Sequence, residues 1–273
     1  MKKLPKKFLD RVQKSLRSYQ DITASIRTRD VSEADTVTVI KDILADVFGY
    51  DKYNELTSEQ QIRGTFCDLA VKIEEKIHFL IEVKSAGMAL NDNHLRQAIN
   101  YGANKGIEWV ILTNAVDWRL YKIEFGQPIK HEEVTRFSFV DLSFRNEEDL
   151  QKIFLMAREG ISSNAIQEFH QTAQILNKFT LAQLMTSENM LANLKREMKR
   201  LFPEIRVDEE QLKDMILNDV LKREVIEGDK VKEAQSKIKK ISNKIEREKS
   251  KKTVTVDGEV AQLEGAEIKN QAA

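Results

Sequence analysis

RGTFCDLAVKIEEKIHFLIEVKS, residues 63–85, is the stretch whose reading decides the fold. Two apolar runs of strand composition flank a polar turn near Glu74 and Glu75, the pattern of a β-hairpin. Three charged residues stand where a core would not choose them: Asp68, Glu82 and Lys84. Successive side chains on a strand alternate faces, so Glu82 and Lys84 share one. Setting Ile73 opposite Ile77, with the turn over residues 74–76, puts Asp68 directly across from Glu82. Cross-strand neighbours have Cβ atoms about 4.5–5.5 Å apart, close enough for two carboxylates to share a divalent cation. A slip of one residue would send them to opposite faces.

Two carboxylates and a lysine on one patch of sheet suit phosphodiester hydrolysis. Carboxylate oxygens suit a hard ion such as Mg²⁺, and that ion polarises a phosphoryl oxygen and acidifies a bound water. Lys84 would orient or deprotonate the water, or offset charge growing on the phosphorane. The alternative is an amphipathic hairpin with a solvated charged face. Glu-x-Lys alone is common; the partner Asp at the matching register favours the metal site.

Asp68 followed by Glu82-Val83-Lys84 resembles the D…(D/E)xK core of the PD-(D/E)xK nuclease superfamily. The neighbourhood from about Glu33 to Ile123 is similar to the nuclease domain at the N-terminus of type I restriction enzyme R subunits. It comprises a leading helix with Glu33, the hairpin, a helix carrying Gln97-x-x-x-Tyr101, and the run from Thr113 to Tyr121. The resemblance implies a restriction-endonuclease-like mixed sheet flanked by helices. It also implies Mg²⁺ (with Mn²⁺ able to substitute) held by Asp68 and Glu82, Lys84 as catalytic lysine and Glu33 assisting. Gln97 and Tyr101 would position substrate; spacing alone would leave them ordinary surface residues. Cys67 stands where the superfamily often has proline. No GxxxxGK[ST] loop occurs in the 273 residues, so this chain carries no helicase motor.

Composition sets the outer limits. The 44 basic and 44 acidic residues give no overall pull toward nucleic acid, so DNA contact has to come from local patches. A single cysteine excludes an intramolecular disulfide and fits a reducing cytoplasm. No run reaches bilayer-spanning length, and the opening MKKLPKKFLD lacks the apolar stretch of a signal peptide. A cytoplasmic protein is expected. None of the four histidines has a partner at ligand spacing.

Residues 1–30 are basic, and Phe8, Val12 and Leu16 recur as on an amphipathic helix. That helix is either a solvated face or a phosphate contact. Ser32 to Phe48 reads as a second helix capped by Ser32 and ended by Gly49. Glu33 in its first turn is favoured by the helix dipole whatever its function. Tyr53–Ile62 is a weak first strand, Glu108–Thr113 a buried central strand, and Trp118–Phe125 its neighbour. Trp109 and Trp118 read as core, with base stacking the lesser alternative for Trp118.

After Phe144 strand-like runs stop. Helices are expected over Glu147–Arg158, Ser162–Lys178, Leu181–Phe202, Glu209–Ile226 and Lys230–Glu248. In the last, Val231, Ala234, Ile238, Ile241 and Ile245 form a short coiled-coil seam. It either packs on its own chain or pairs with another subunit. The chain thus divides into a basic helix (1–30), an α/β nuclease-like domain (31–145), an all-α module (146–252) and a tail without periodicity (253–273).

The expected function is a divalent-metal-dependent DNA endonuclease, with a role in restriction or phage defence implied by the resemblance alone. Partners would be DNA, a second copy through the C-terminal helices, or separate motor and specificity subunits. The alternative is a non-cutting adaptor that uses the nuclease fold to grip nucleic acid within a larger complex.

Overall fold

The computed structural model describes residues 3–58 and 67–245. The chain separates into two compact units, Met1–His170 and Gln171–Ala273. The first carries a six-stranded mixed sheet in sequential order: β1 (Leu56–Ser58), β2 (Leu69–Ile73), β3 (Lys76–Val83), β4 (Trp109–Thr113), β5 (Asp117–Glu124) and β6 (Lys130–Ser138). All neighbours are antiparallel except β3 and β4. The parallel pair is joined by a crossover through α3 (Arg96–Lys105). Such a connection brings the C-terminal ends of both strands to the same edge.

The sheet separates two apolar clusters. On one face, Leu69, Val71, Phe79, Ile81 and Val83 pack with α1 (Lys6–Thr28), α2 (Glu33–Asp46) and α4 (Glu147–Met156). On the other, Ala70, Leu80, Val110 and Leu112 pack with α3. Period-two alternation within β2 and β3 divides their side chains between the two clusters. Gly102 lets α3 lie close to the sheet: a Cβ there would meet Ile123 Cδ1 at 2.6 Å.

The basic N-terminal stretch is a structural member of this unit. Phe8, Val12, Leu16 and Ile26 of α1 are buried in the first cluster, while its lysines keep their heads outward. Arg11 ties the helix down. It donates to Val47 O (3.0 Å) and Phe48 O (3.2 Å) and makes two 2.7 Å bonds to Glu159. Gly49, with φ of +88°, lies where a Cβ would collide with that guanidinium.

Burial works against ionisation of Glu159, but Arg11 outweighs it and holds the carboxyl below its ordinary value. The stability from this pair is therefore complete above the ordinary carboxylate range and is lost as pH falls through the depressed folded value. Arg11→Ala should cost about 2–3 kcal/mol at neutral pH, because a half-buried carboxylate and two carbonyls lose their donor. Urea unfolding should show the gap to wild type narrowing on acidification.

Leu150, Ile153, Phe154 and Met156 enter the first cluster, within the compact unit Met1–His170. Two strand readings change. Strand β6 escapes the reading: KHEEVTRFS shows no apolar alternation because it is an edge strand with a mostly exposed surface. Within the first weak strand only Leu56–Ser58 forms β1, and residues 59–62 lie outside those described.

Beyond α5 (Arg158–Ser162) and α6 (Ala165–Ile175), the second unit holds α7 (Lys178–Met185), α8 (Glu188–Leu201), α9 (Glu209–Met215) and α10 (residues 229–245). The expected helix Leu181–Phe202 is broken at Thr186 and Ser187, and Glu209–Ile226 gives way to a π-turn and a 3₁₀ turn. The tail over 253–273 lies outside the described residues. No helix among those described is long and apolar enough to cross a membrane.

Candidate active site

The hairpin β2–β3 positions the acidic pair. Its register is Leu69↔Ile81, Ala70↔Leu80 and Val71↔Phe79, so Asp68, one residue before β2, falls level with Glu82. Nearer the tip the pairing shifts to Lys72↔Ile77 and Ile73↔Lys76, with a β-bulge at His78. The turn is Glu74-Glu75, both left-handed (φ 49° and 63°), which matches strand twist. The sequence reading had the turn over 74–76 and no bulge. A shorter turn and one extra strand residue cancel, so both arrangements give the same register at the carboxylate end.

Asp68 Oδ2 accepts a 2.7 Å bond from the Val83 amide, which fixes its carboxylate across the end of β3. Glu82 leaves the same face as Leu80 and is 5% exposed. Lys84 follows the strand end, its own amide donating to Thr113 O at 2.9 Å. Its Nζ donates to Glu82 Oε1 at 2.8 Å and Val83 O at 2.7 Å, and reaches Glu33 Oε2 at 3.5 Å. Glu33 opens α2, whose N-cap Ser32 accepts from the Asp35 amide. Side chains from two elements, Glu82 of β3 and Glu33 of α2, thus gather around one ammonium.

Electrostatics follows from the crowding. Burial, with the charges of Asp68 and Glu33, pushes the Glu82 carboxyl up to about 7 against the opposing pull of Lys84. Burial works to lower Lys84, but the Glu82 hydrogen bond and the charges of Glu82, Glu33 and Asp68 outweigh it and keep the ammonium protonated. Cys67, buried beside Asp68, has its thiol pushed up to about 12 by burial and is no nucleophile.

Gln97 and Tyr101 lie four apart on α3 in different surroundings. Gln97 is exposed. Tyr101 is 1% exposed, embedded in the α3-side cluster, and its hydroxyl has no hydrogen-bond partner among the described residues. Trp118 is wholly buried and offers no face for a base.

One residue the sequence reading left without a role is Asn114. Its side-chain oxygen accepts from the Val116 and Asp117 amides, and its amide donates to Met88 O at 2.8 Å. It therefore anchors the segment following Lys84 to the β4–β5 turn. The signal was the turn-forming Asn followed by Ala115 at φ 70°, an Asx turn.

Among the described residues no group of three or more His, Cys, Asp or Glu side chains is arranged to hold a metal. The donor chemistry still suits a hard cation. Glu82 and Glu33 converge on a positive charge, the Lys84 ammonium, and Asp68 lies within electrostatic reach of it.

No curated protein and no solved structure gives a significant match to the chain. Residues 39–137 match the family model described as type I restriction enzyme R protein N terminus. The matched stretch spans β1–β5 and most of β6, with Asp68, Glu82, Lys84, Gln97 and Tyr101; Glu33 precedes it. A restriction-related nuclease function is the broad reading this supports. The match over residues 39–137 is consistent with a nuclease domain of the type I restriction enzyme R protein N-terminal kind.

Proposed function

We propose that the protein is a divalent-metal-dependent endodeoxyribonuclease acting in restriction of foreign DNA. The observation that supports this most is the convergence of Glu82, Glu33 and Lys84 opposite Asp68 at one sheet edge. A binding protein gains nothing from carboxylates aimed at phosphates. Asp68 and Glu82 would hold the ion, Mg²⁺ or Mn²⁺, through hard oxygens, with Glu33 assisting. When bound, the ion would supply Lewis-acid polarisation of the phosphate and a more acidic water.

The chain's own groups have distinct tasks. The Val83 amide keeps Asp68 turned to the end of β3. Glu82, buried and poised near neutrality, loses its proton to water readily when a positive charge lies nearby. Lys84 is the mobile cation of the set, able to pass from Glu82 to a phosphate oxygen or the attacking water. Gln97, exposed on α3, remains available to substrate, and Tyr101 acts from within the core by holding α3 in place.

Supercoiled plasmid incubated with the purified protein should be nicked or cut with Mg²⁺ or Mn²⁺ and left intact in EDTA. Asp68→Asn should remove this activity and keep the far-UV circular dichroism. Salt-sensitive DNA binding that needs no metal and leads to no cleavage would replace the nuclease with the adaptor.

A further inference from the structure

The helical unit leaves many large apolar side chains exposed. Leu191, Leu212 and Ile216 form its one small described cluster, while Ile175, Leu176, Leu181, Leu184, Met190 and Ile241 are each more than a third exposed. The coiled-coil seam of α10 shows how this arises. Val231 and Ala234 are 4% and 5% exposed, whereas Ile241 and Ile245 are 49% and 46% exposed. The first turns of the seam pack on their own unit, and the later ones have no cover among the described residues.

Beside the uncovered turns lies a groove of about 480 Å³. Ile175, Thr180 and Leu184 form one side, Ile238 and Ile241 the other. Lys237 and Lys240 stand at its rim; among the described residues no carboxylate lines it and neither lysine has an ion pair. An apolar trough edged by unneutralised cations selects by chemistry.

We propose that this groove receives an acidic amphipathic helix from a partner protein. The partner's apolar side chains, spaced i, i+3 or i+4, and i+7, would fill the trough, and its flanking carboxylates would meet Lys237 and Lys240. Charge disfavours the simplest rival. A second copy docked groove to groove would bring the Lys237 and Lys240 rims toward their own counterparts, and like charges facing one another oppose association. Nucleic acid would satisfy the lysines but leave Leu184 and Ile241 facing phosphates.

The test uses the full chain and a fluorescein-labelled synthetic helix with leucines on one face and glutamates along both flanks. Two control peptides carry lysine for glutamate, or the same residues in scrambled order. Fluorescence anisotropy should show the acidic peptide binding at least about tenfold more tightly than either control, a difference of about 1.4 kcal/mol. Leu184→Asp and Ile241→Asp should each weaken binding about tenfold or more with unchanged melting, since both positions are already half exposed. Lys237→Glu combined with Lys240→Glu should reverse the preference between acidic and basic peptides. Equal binding of all three peptides, or no binding, would overturn the proposal. So would a dimer in sedimentation equilibrium that Ile241→Asp dissolves, because the occupant would then be a second copy.

Discussion

Lys84→Ala should reduce metal-dependent DNA cleavage by about 10²–10⁴-fold, the range for losing a positioned proton-transfer or charge-stabilising group, and leave the fold intact. The expectation of an intact fold rests on Glu82. Removing the ammonium strips Glu82 of its 2.8 Å partner, but its carboxyl already titrates near neutrality. It can take up a proton rather than remain a buried, uncompensated charge. Lys84 is also 16% exposed at its side chain and belongs to neither apolar cluster, so truncation opens no cavity. The assay is plasmid nicking in Mn²⁺ beside a thermal melt of the same preparation. Lys84→Arg keeps the charge but not the compact ammonium, and should recover little. Equal cutting by wild type and Lys84→Ala would identify a contaminating nuclease and remove the enzymatic assignment.

The largest stability loss should come from Trp118→Ala, at about 3–5 kcal/mol. The indole is wholly buried. It lies 5.1 Å from Phe48 at the end of α2, stacks on Phe137 of β6 at 6.4 Å, and meets Phe139 at 6.3 Å. Its Nε1–H donates to Ala115 O at 2.9 Å, bracing the left-handed residue of the β4–β5 turn. Alanine would leave a large void between helix and sheet and an unmet carbonyl in the interior. Trp118→Phe retains most of the volume but not the donor and should lose much less. Chemical denaturation of the three proteins checks this; a loss below about 1 kcal/mol for Trp118→Ala would mean the first cluster closes over the gap.

What could be read from the chain alone followed the physics of each signal. The hairpin was visible because apolar alternation and misplaced charges occur in the same short stretch, and the requirement that Asp68 meet Glu82 selected the register. Its tip was not visible: two glutamates in left-handed conformation are not the Asn-Gly pair that announces a tight turn, and a bulge leaves no mark in composition. Strand β6 was missed for the same kind of reason, since the exposed edge KHEEVTRFS turns only Val134 and Phe137 toward the first cluster. Strand texture stops before the first cluster does, because the helix α4 supplies Leu150, Ile153, Phe154 and Met156 to it. Tyr101 could be found as a motif position but not as a buried one. Spacing of four puts Gln97 and Tyr101 on neighbouring turns of α3, yet the helix surface between them passes from solvent into the sheet.

The bulge at His78 gives the hairpin one residue of slack. Deleting His78 would yield a regular ladder that still sets Asp68 level with Glu82, because the mismatch it absorbs lies wholly on the turn side of Val71 and Phe79. Length variation at this tip is thus insulated from the chemistry at the opposite end. A lineage could gain or lose a residue there without realigning its acidic pair.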